Sequence, residues 1–356
     1  MKLLRYFSVR GKRVLVRCDF NVPVDEKGNI LDDFRIRQTI PTIAFLLSRG
    51  AKIILMSHLG DPEGKVVPYL SVRPIQENLM EYLDCSVTLA PDCIGNTIRD
   101  WTLKMRNGEV LLLENLRFHG EEELNDRNFA KELAALGDIF VNDAFSVSHR
   151  AHASIVGVPQ LLPSGAGLLL EKEIHALSEF SKNPKHPFVV VVGGSKAKDK
   201  LSFVDAMSRK ADTVLIGNLL AKEALSQKLE FSNRHKIVFS PDGALDIGPK
   251  TIELFKTYLT NAKSVFWVGP LGKTEEKKYA KGSLAIAKAI VKSNAVAIAG
   301  GGDLAEFLQN YGLREKFSYV SAGGGATLAF VSGQKLPGLA ALGYYDDDTN
   351  IRMYTN

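Results

Sequence analysis

At 356 residues the chain has room for about two domains of ~150 residues each. An apolar content of 45% and a charged content of 24% are ordinary for a soluble globular protein, and a net charge of +5 without dense basic runs excludes a nucleic-acid footprint. No apolar run approaches the ~18 residues of a membrane span, and MKLLRYFSVRGKR lacks a signal-peptide core. Cys18, Cys85 and Cys93, without a C-x-x-C pair, fit a reducing cytoplasm and supply no metal motif.

Lys12–Arg17 reads as the first strand and runs into Asp19, Asn21 and Pro23, where a loop begins. Asp33–Arg49 has helical spacing, with Ile36, Ile40, Ile43, Leu46 and Leu47 on one face and Arg35 near its start. Ala51–Met56 is a strand ending in Ser57-His58-Leu59-Gly60-Asp61. A helix over Arg73–Leu83, a weak strand over Val87–Ala90 and a stronger one over Val110–Leu113 follow, the last leading to Arg117 and His119. Asn128–Leu136 is helical, and Ile139–Val141 runs into Asp143, His149 and Arg150. Leu168–Lys182, free of glycine and proline, is the helix expected to connect two domains.

The second half repeats the alternation, with strands at Val189–Val192, Thr213–Ile216, Ile237–Phe239, Ser264–Trp267, Ala295–Ala299 and Ser318–Val320. Alternating strands and helices argue for parallel, doubly wound sheets. Phe188–Lys200, FVVVVGGSKAKDK, is its most telling stretch: a buried strand, two glycines, then lysines. Glycines let backbone N–H groups approach a phosphate and lysines add charge, although a plain turn followed by solvated lysines has the same appearance. It is not a Walker A loop, because the nearest approach, Gly272-Lys273-Thr274, has Trp267 where the first glycine belongs.

Strand ends of the first half carry Asp19, Asn21, His58, Arg117, His149 and Arg150, with Arg35 nearby. Those of the second carry Gly193, Gly217, Gly269, Gly300–Gly302, Asp303 and Gly323–Gly325. One half is suited to a small anion held by side chains, the other to a polyphosphate held by backbone and lysine, which together suggest phosphoryl transfer. Each residue taken singly has a plainer reading. His58 and His149 could be hydrogen-bonded loop histidines, Arg117 could pair with Glu114 or Glu121 on the surface, and Asp303 reads as a helix N-cap.

The segments CDFNVP (from Cys18), SHLG (Ser57), LENLRFH (Leu113), DAFSVSHRAHAS (Asp143), GGSKAKDK (Gly193), DIGPKT (Asp246), GGGD (Gly300) and SAGGGA (Ser321) resemble phosphoglycerate kinase in order, over almost the whole chain. The resemblance implies two Rossmann-like domains joined by a hinge helix: a substrate domain over 1–170 completed by a tail at about 338–356, and a nucleotide domain over 171–337. It implies a cytoplasmic, monomeric glycolytic enzyme that uses Mg2+ with ADP or ATP and has neither nucleic-acid nor membrane partners. Asp19, Asn21, Arg35, His58, Arg117 and Arg150 would bind 3-phosphoglycerate. Gly193, Lys196, Lys200, Gly217, Glu275, Gly301, Gly302 and Asp303 would bind nucleotide, with Asp303 on the metal. Arg35, Lys196 and Gly324 would stabilise the transferring group.

The chain departs from the family pattern at Asp61, where an arginine is usual, and at Val268, Leu304, Ala322, Asn218-Leu219 and Ala329. The region around Leu229–Asp246 is also shortened. These changes cluster in the nucleotide half and bear on rate and nucleotide affinity. They keep a second reading open, that of a catalytically impaired relative acting as a binding or interaction protein. Retention of both Arg35 and Lys196 favours the working enzyme.

Overall fold

A computed structural model of the chain describes residues 1–194 and 197–346. Lys196 and the expected tail from 347 on lie outside the described residues. Two units emerge: Met1–Ile174 with the described residues from Lys335 onward, and His175–Gln334.

In unit 1 the apolar runs become β1 (Arg13–Arg17), β2 (Lys52–Met56), β3 (Val87–Leu89), β4 (Val110–Leu112), β5 (Ile139–Asn142) and β6 (Ser164–Ala166). They form one parallel sheet in the order β3-β4-β2-β1-β5-β6. The helix Phe34–Ser48 buries Phe34, Ile36, Ile43 and Leu46, while Ile40 and Leu47 pack at the edge of the same core. This is the expected face, and Pro41 is tolerated inside the helix.

Among the elements not anticipated are a helix and a strand of unit 1. The helix Asn96–Lys104 buries only Ile98 and Thr102, too little for a readable stripe. Strand β6 is Ser-Gly-Ala, with no β-branched residue, and exists because tertiary pairing makes it. A Cβ at Gly165 would lie 2.6 Å from Lys2 O, so glycine lets the N-terminal segment close over this strand.

Unit 2 holds β7 (Phe188–Val192), β8 (Thr213–Ile216), β9 (Ile237–Phe239), β10 (Ser264–Val268), β11 (Val296–Gly300) and β12 (Tyr319–Ser321). Their parallel order, β12-β11-β10-β7-β8-β9, is the Rossmann order read from one edge. Strands β7 and β10 are buried along their whole length, as expected for sheets covered on both faces. In such sheets ligands lie beyond the strand C-termini, at the point where the order reverses. That point is the β1/β5 pair in unit 1 and the β7/β10 pair in unit 2.

The connecting helix Leu168–Lys182 is held at its start by Asp143, which follows β5. One carboxylate oxygen of Asp143 accepts N–H groups of Leu169 at 2.9 Å and Leu170 at 3.3 Å. Complete burial raises this carboxyl from 3.8 to about 6, outweighing its hydrogen bonds. A folded pKa above the unfolded one favours the protonated folded state below pH 3.8, and that advantage is lost as pH rises through about 6. Wild-type stability relative to Asp143→Asn should therefore fall by on the order of 3 kcal/mol between acid and neutral pH. Urea unfolding of both proteins at each pH checks this, and a pH-independent difference would mean that Asp143 has the same pKa folded and unfolded.

Candidate active site

In unit 1 the loops after β1, β2, β4 and β5 bring together most of the expected side chains. Asp19, 5% exposed, accepts hydrogen bonds from Arg35 at 2.7 Å and Ser146 at 2.6 Å. Asn21 Oδ1 accepts the Gly60 N–H at 2.8 Å, tying the β1 loop to the β2 loop. Asn115 is fully buried and braces the β2 loop from the β4 side. It donates to Leu59 O and Leu70 O and accepts from Leu59 N–H and Arg117 N–H.

Arg117 is not a surface residue and pairs with neither Glu114 nor Glu121. Its side chain donates to Gly60 O at 2.8 Å, lies 2.9 Å from Glu123 and lies 3.6 Å from Asp61. Nε of Arg117 is buried with no hydrogen-bond partner. A buried, orphaned guanidinium donor is costly, and an anionic ligand would satisfy it. Burial lowers the Arg117 pKa, and the neighbouring Arg150 lowers it further. Arg150 itself is exposed.

His58 does not add a positive charge to this cluster. It is buried, its Nδ1 lies 3.2 Å from Arg17 Nη2, and its pKa is pushed well below 6.5. Burial is the main cause, followed by the fields of Arg17, Arg117, Arg150 and Arg35. His152 behaves likewise, lowered to about 3 by burial and then by Arg117, Arg17 and Arg150. Burial first, and the nearby guanidiniums second, drive both imidazoles toward the neutral form.

Arg17 is the residue that sequence reasoning missed. Fully buried at the end of β1, it donates through Nε to Ser154 Oγ at 2.9 Å and through Nη1 to Cys18 O. Ser154 in turn donates its Oγ–H to Glu122 at 2.6 Å and its N–H at 2.9 Å. Glu122, completely buried, supplies the compensating negative charge. In the sequence it sits in a run of three glutamates that reads as a solvated face.

Unit 2 is built from backbone and lysine. Gly193 donates its N–H to Val268 O at 2.8 Å, and a Cβ there would lie 2.2 Å from Pro270 O. Gly194 has φ +90°, and a Cβ there would collide with Lys200 Nζ at 2.0 Å. Lys200 Nζ donates to Gly193 O at 2.7 Å and lies 2.9 Å from where a Cβ on Gly269 would sit. The glycines after β7 and β10 thus clear a pocket for one ammonium group at the switch point.

Gly217, Gly301 and Gly324 each stand at the N-terminus of a helix, after β8, β11 and β12 respectively. Gly324 adopts φ +52° and ψ −118°, a region open only to glycine. Gly301 takes the N-cap position, with φ +108°, so Asp303 is not the cap. Asp303 is instead an exposed carboxylate in the first turn, and Gly302 and Glu275 are also exposed.

Several departures have structural roles. Leu304 is fully buried in the unit 2 core. Asn218 is buried, bonding Asp246 O at 3.2 Å and accepting from Ser240 at 2.8 Å, and so anchors the shortened β9 region. Val268 lies inside β10 and offers its carbonyl to Gly193.

The family model described as phosphoglycerate kinase matches residues 4–230 and 222–334. A phosphoglycerate kinase of Chlorobium phaeobacteroides is 42% identical over 96% of this chain and 99% of its own length. That of Coprothermobacter proteolyticus is 40% identical over 96% and 98%. Among solved structures, the phosphoglycerate kinase of Pyrococcus horikoshii superposes with a TM-score of 0.87 at 30% identity, covering 96% of this chain and 98% of that one. The Coxiella burnetii enzyme gives 0.80 at 31%, covering 97% and 100%.

Removing the charge that balances Arg17 should be costly. Glu122→Ala is expected to destabilise the protein by about 3 kcal/mol or more, because it leaves a buried cation without its partner. Glu123→Ala removes a half-exposed partner of Arg117 and should cost under about 1 kcal/mol. Equal losses in urea denaturation would show that Glu122 is not the compensating charge.

Proposed function

The chain belongs to the phosphoglycerate kinase family, and we infer from this that it catalyses reversible phosphoryl transfer between 1,3-bisphosphoglycerate and Mg-ADP, giving 3-phosphoglycerate and Mg-ATP in glycolysis. The convergence of Arg17, Arg35, Arg117 and Arg150 on His58 is the observation that supports an anionic substrate on unit 1. In this reading Arg35, Arg117 and Arg150 grip carboxylate and phosphate in the forked geometry that guanidinium provides. Asp19 and Asn21 orient the hydroxyl and carboxylate end. His58, uncharged, holds Arg17 and shapes the floor.

The nucleotide phosphates lie, in our reading, over the Gly193–Gly194 turn and the helix N-termini at Gly217, Gly301 and Gly324, with Lys200 as a cation beneath. Glu275 is exposed and free to meet the ribose hydroxyls. Mg2+ would be held by Asp303 together with phosphate oxygens, since it binds through one or two carboxylates plus phosphate and water. The exposed carboxylate of Asp303 suits that donor set. Bound there, the ion supplies neutralisation of phosphate charge. Transfer of this kind needs alignment and electrostatic support more than covalent chemistry. Arg35, Lys196 and the N–H groups following Gly324 provide that support in our scheme. Turnover joins a group bound by one unit to a group bound by the other, so bending at Leu168–Lys182 is part of it. We take the working form to be a cytoplasmic monomer, which suits three free cysteines.

A coupled assay in both directions tests the function directly and separates it from an impaired, binding-only relative. Lys196→Ala is expected to lower turnover by on the order of 10²–10³ with 3-phosphoglycerate binding nearly unchanged. A variant retaining more than about a tenth of the rate would remove Lys196 from the transfer step.

Asp61 is the departure nearest the inferred substrate. Its carboxylate, 72% exposed, lies 3.6 Å from Arg117 Nη1 and offsets part of that residue's charge. Asp61→Arg should tighten 3-phosphoglycerate binding by about five-fold, ~1 kcal/mol, and more at low salt. Calorimetry at two ionic strengths measures it. Equal or weaker affinity in the arginine variant would detach this loop from the substrate site.

A further inference from the structure

Strands β3 and β4 pair in parallel, so the loops after them leave the sheet at the same end. Those loops carry the adjacent pair Asp92 and Cys93 and, well separated from it in sequence, His119, without metal-motif spacing. The fold brings one ligand atom of each to within 4.8 Å of the others. His119 Nε2 lies 2.6 Å from Asp92 Oδ1, and the same oxygen accepts the Cys93 N–H at 2.6 Å. The Cys93 thiol is fully buried and donates to Glu114 O at 2.9 Å. Asp92 is about half exposed and His119 about a quarter, which leaves an opening to solvent on the carboxylate side. The ring of His119 packs against Phe129, which fixes its plane.

We propose that Asp92, Cys93 and His119 form a binding site for a thiophilic divalent cation of the zinc class, separate from the magnesium of the reaction. Sulfur, imidazole nitrogen and one carboxylate oxygen are the donors that Zn2+ accepts, whereas Mg2+ takes oxygen alone. Binding exchanges protons for the metal: the Cys93 S–H bond breaks, a sulfur–metal bond forms and that proton leaves to solvent, while the proton between His119 Nε2 and Asp92 moves to Nδ1 or solvent so that Nε2 can ligate. Because a proton is released, uptake should fall in acid. The ion would clip the β3 loop to the turn Leu116–Phe118, which carries Arg117. Occupancy would therefore act on the substrate-binding arginine from behind.

Co2+ added to EDTA-treated full-length protein is the probe, because a thiolate ligand gives it a sulfur-to-metal charge-transfer band. The expected result is a band that saturates at one equivalent, is displaced by Zn2+ and persists in excess Mg2+. It should vanish in Cys93→Ser, survive in Cys85→Ser and need at least ten-fold more Co2+ in His119→Ala. Absence of the band, its survival in Cys93→Ser, or unchanged affinity in His119→Ala would overturn the site. If Cys93→Ser does not fold, calorimetric Zn2+ affinity of His119→Ala, whose side chain is partly exposed, decides alone: an unchanged value refutes the proposal.

Discussion

A guanidinium with no access to water sets the terms for unit 1. Arg17 can sit inside the sheet only because Ser154, the Cys18 carbonyl and His58 take its donors and Glu122 balances its charge. Meeting those needs fixes the loops after β1, β2 and β5 and the short helix Gly120–Glu123 against one another. Exposed Arg150 stands on the β5 loop that Ser154 ties to this buried arginine. Burial, reinforced by the positive field of the arginines, lowers the pKa of His58 and His152. The site's polarity thus begins beneath its surface.

In the function proposed above, unit 2 answers the same problem of holding anions with different materials. Side chains are cleared away at Gly193, Gly194 and Gly269, and a single ammonium fills the space. Three helix N-termini supply the other donors, and their backbone N–H groups need no counter-ion of their own. The departures from the family pattern fit this division. Leu304 and Asn218 serve packing and loop anchoring, while the glycine–lysine cradle is kept.

Much of this was legible in the sequence, because a parallel strand announces itself by a β-branched run and its loop by glycine, proline or a sudden polar cluster. That is why Asp19, Arg117 and Arg150 could be placed just past strand ends, and Lys200 after a glycine turn, from position alone. Arg17 could not, because a charged residue at a strand end reads as exposed unless its partners are known, and Glu122 is masked by its acidic neighbours. Asp303 was misread as a cap because Gly301, at φ +108°, starts the helix earlier. The Asp92–Cys93–His119 cluster was invisible, since only the pairing of β3 with β4 brings His119 to the adjacent Asp92 and Cys93.

The order of the chain through the two units has a consequence for biosynthesis. Unit 2 is an insertion: Met1–Ile174 precedes it and the segment from Lys335 returns to unit 1. That return is specific. Gly338 donates to Ser148 O at 2.9 Å in a space too tight for a Cβ, and the Met1 ammonium donates to Gly343 O at 3.0 Å. During vectorial synthesis the ribosome releases every strand of unit 1 early, yet withholds this last piece until unit 2 has been made. The Ser148 loop, next to Arg150, must wait until the segment around Gly338 has been made. A nascent chain stalled before Lys335 would carry a complete insertion within an unfinished host.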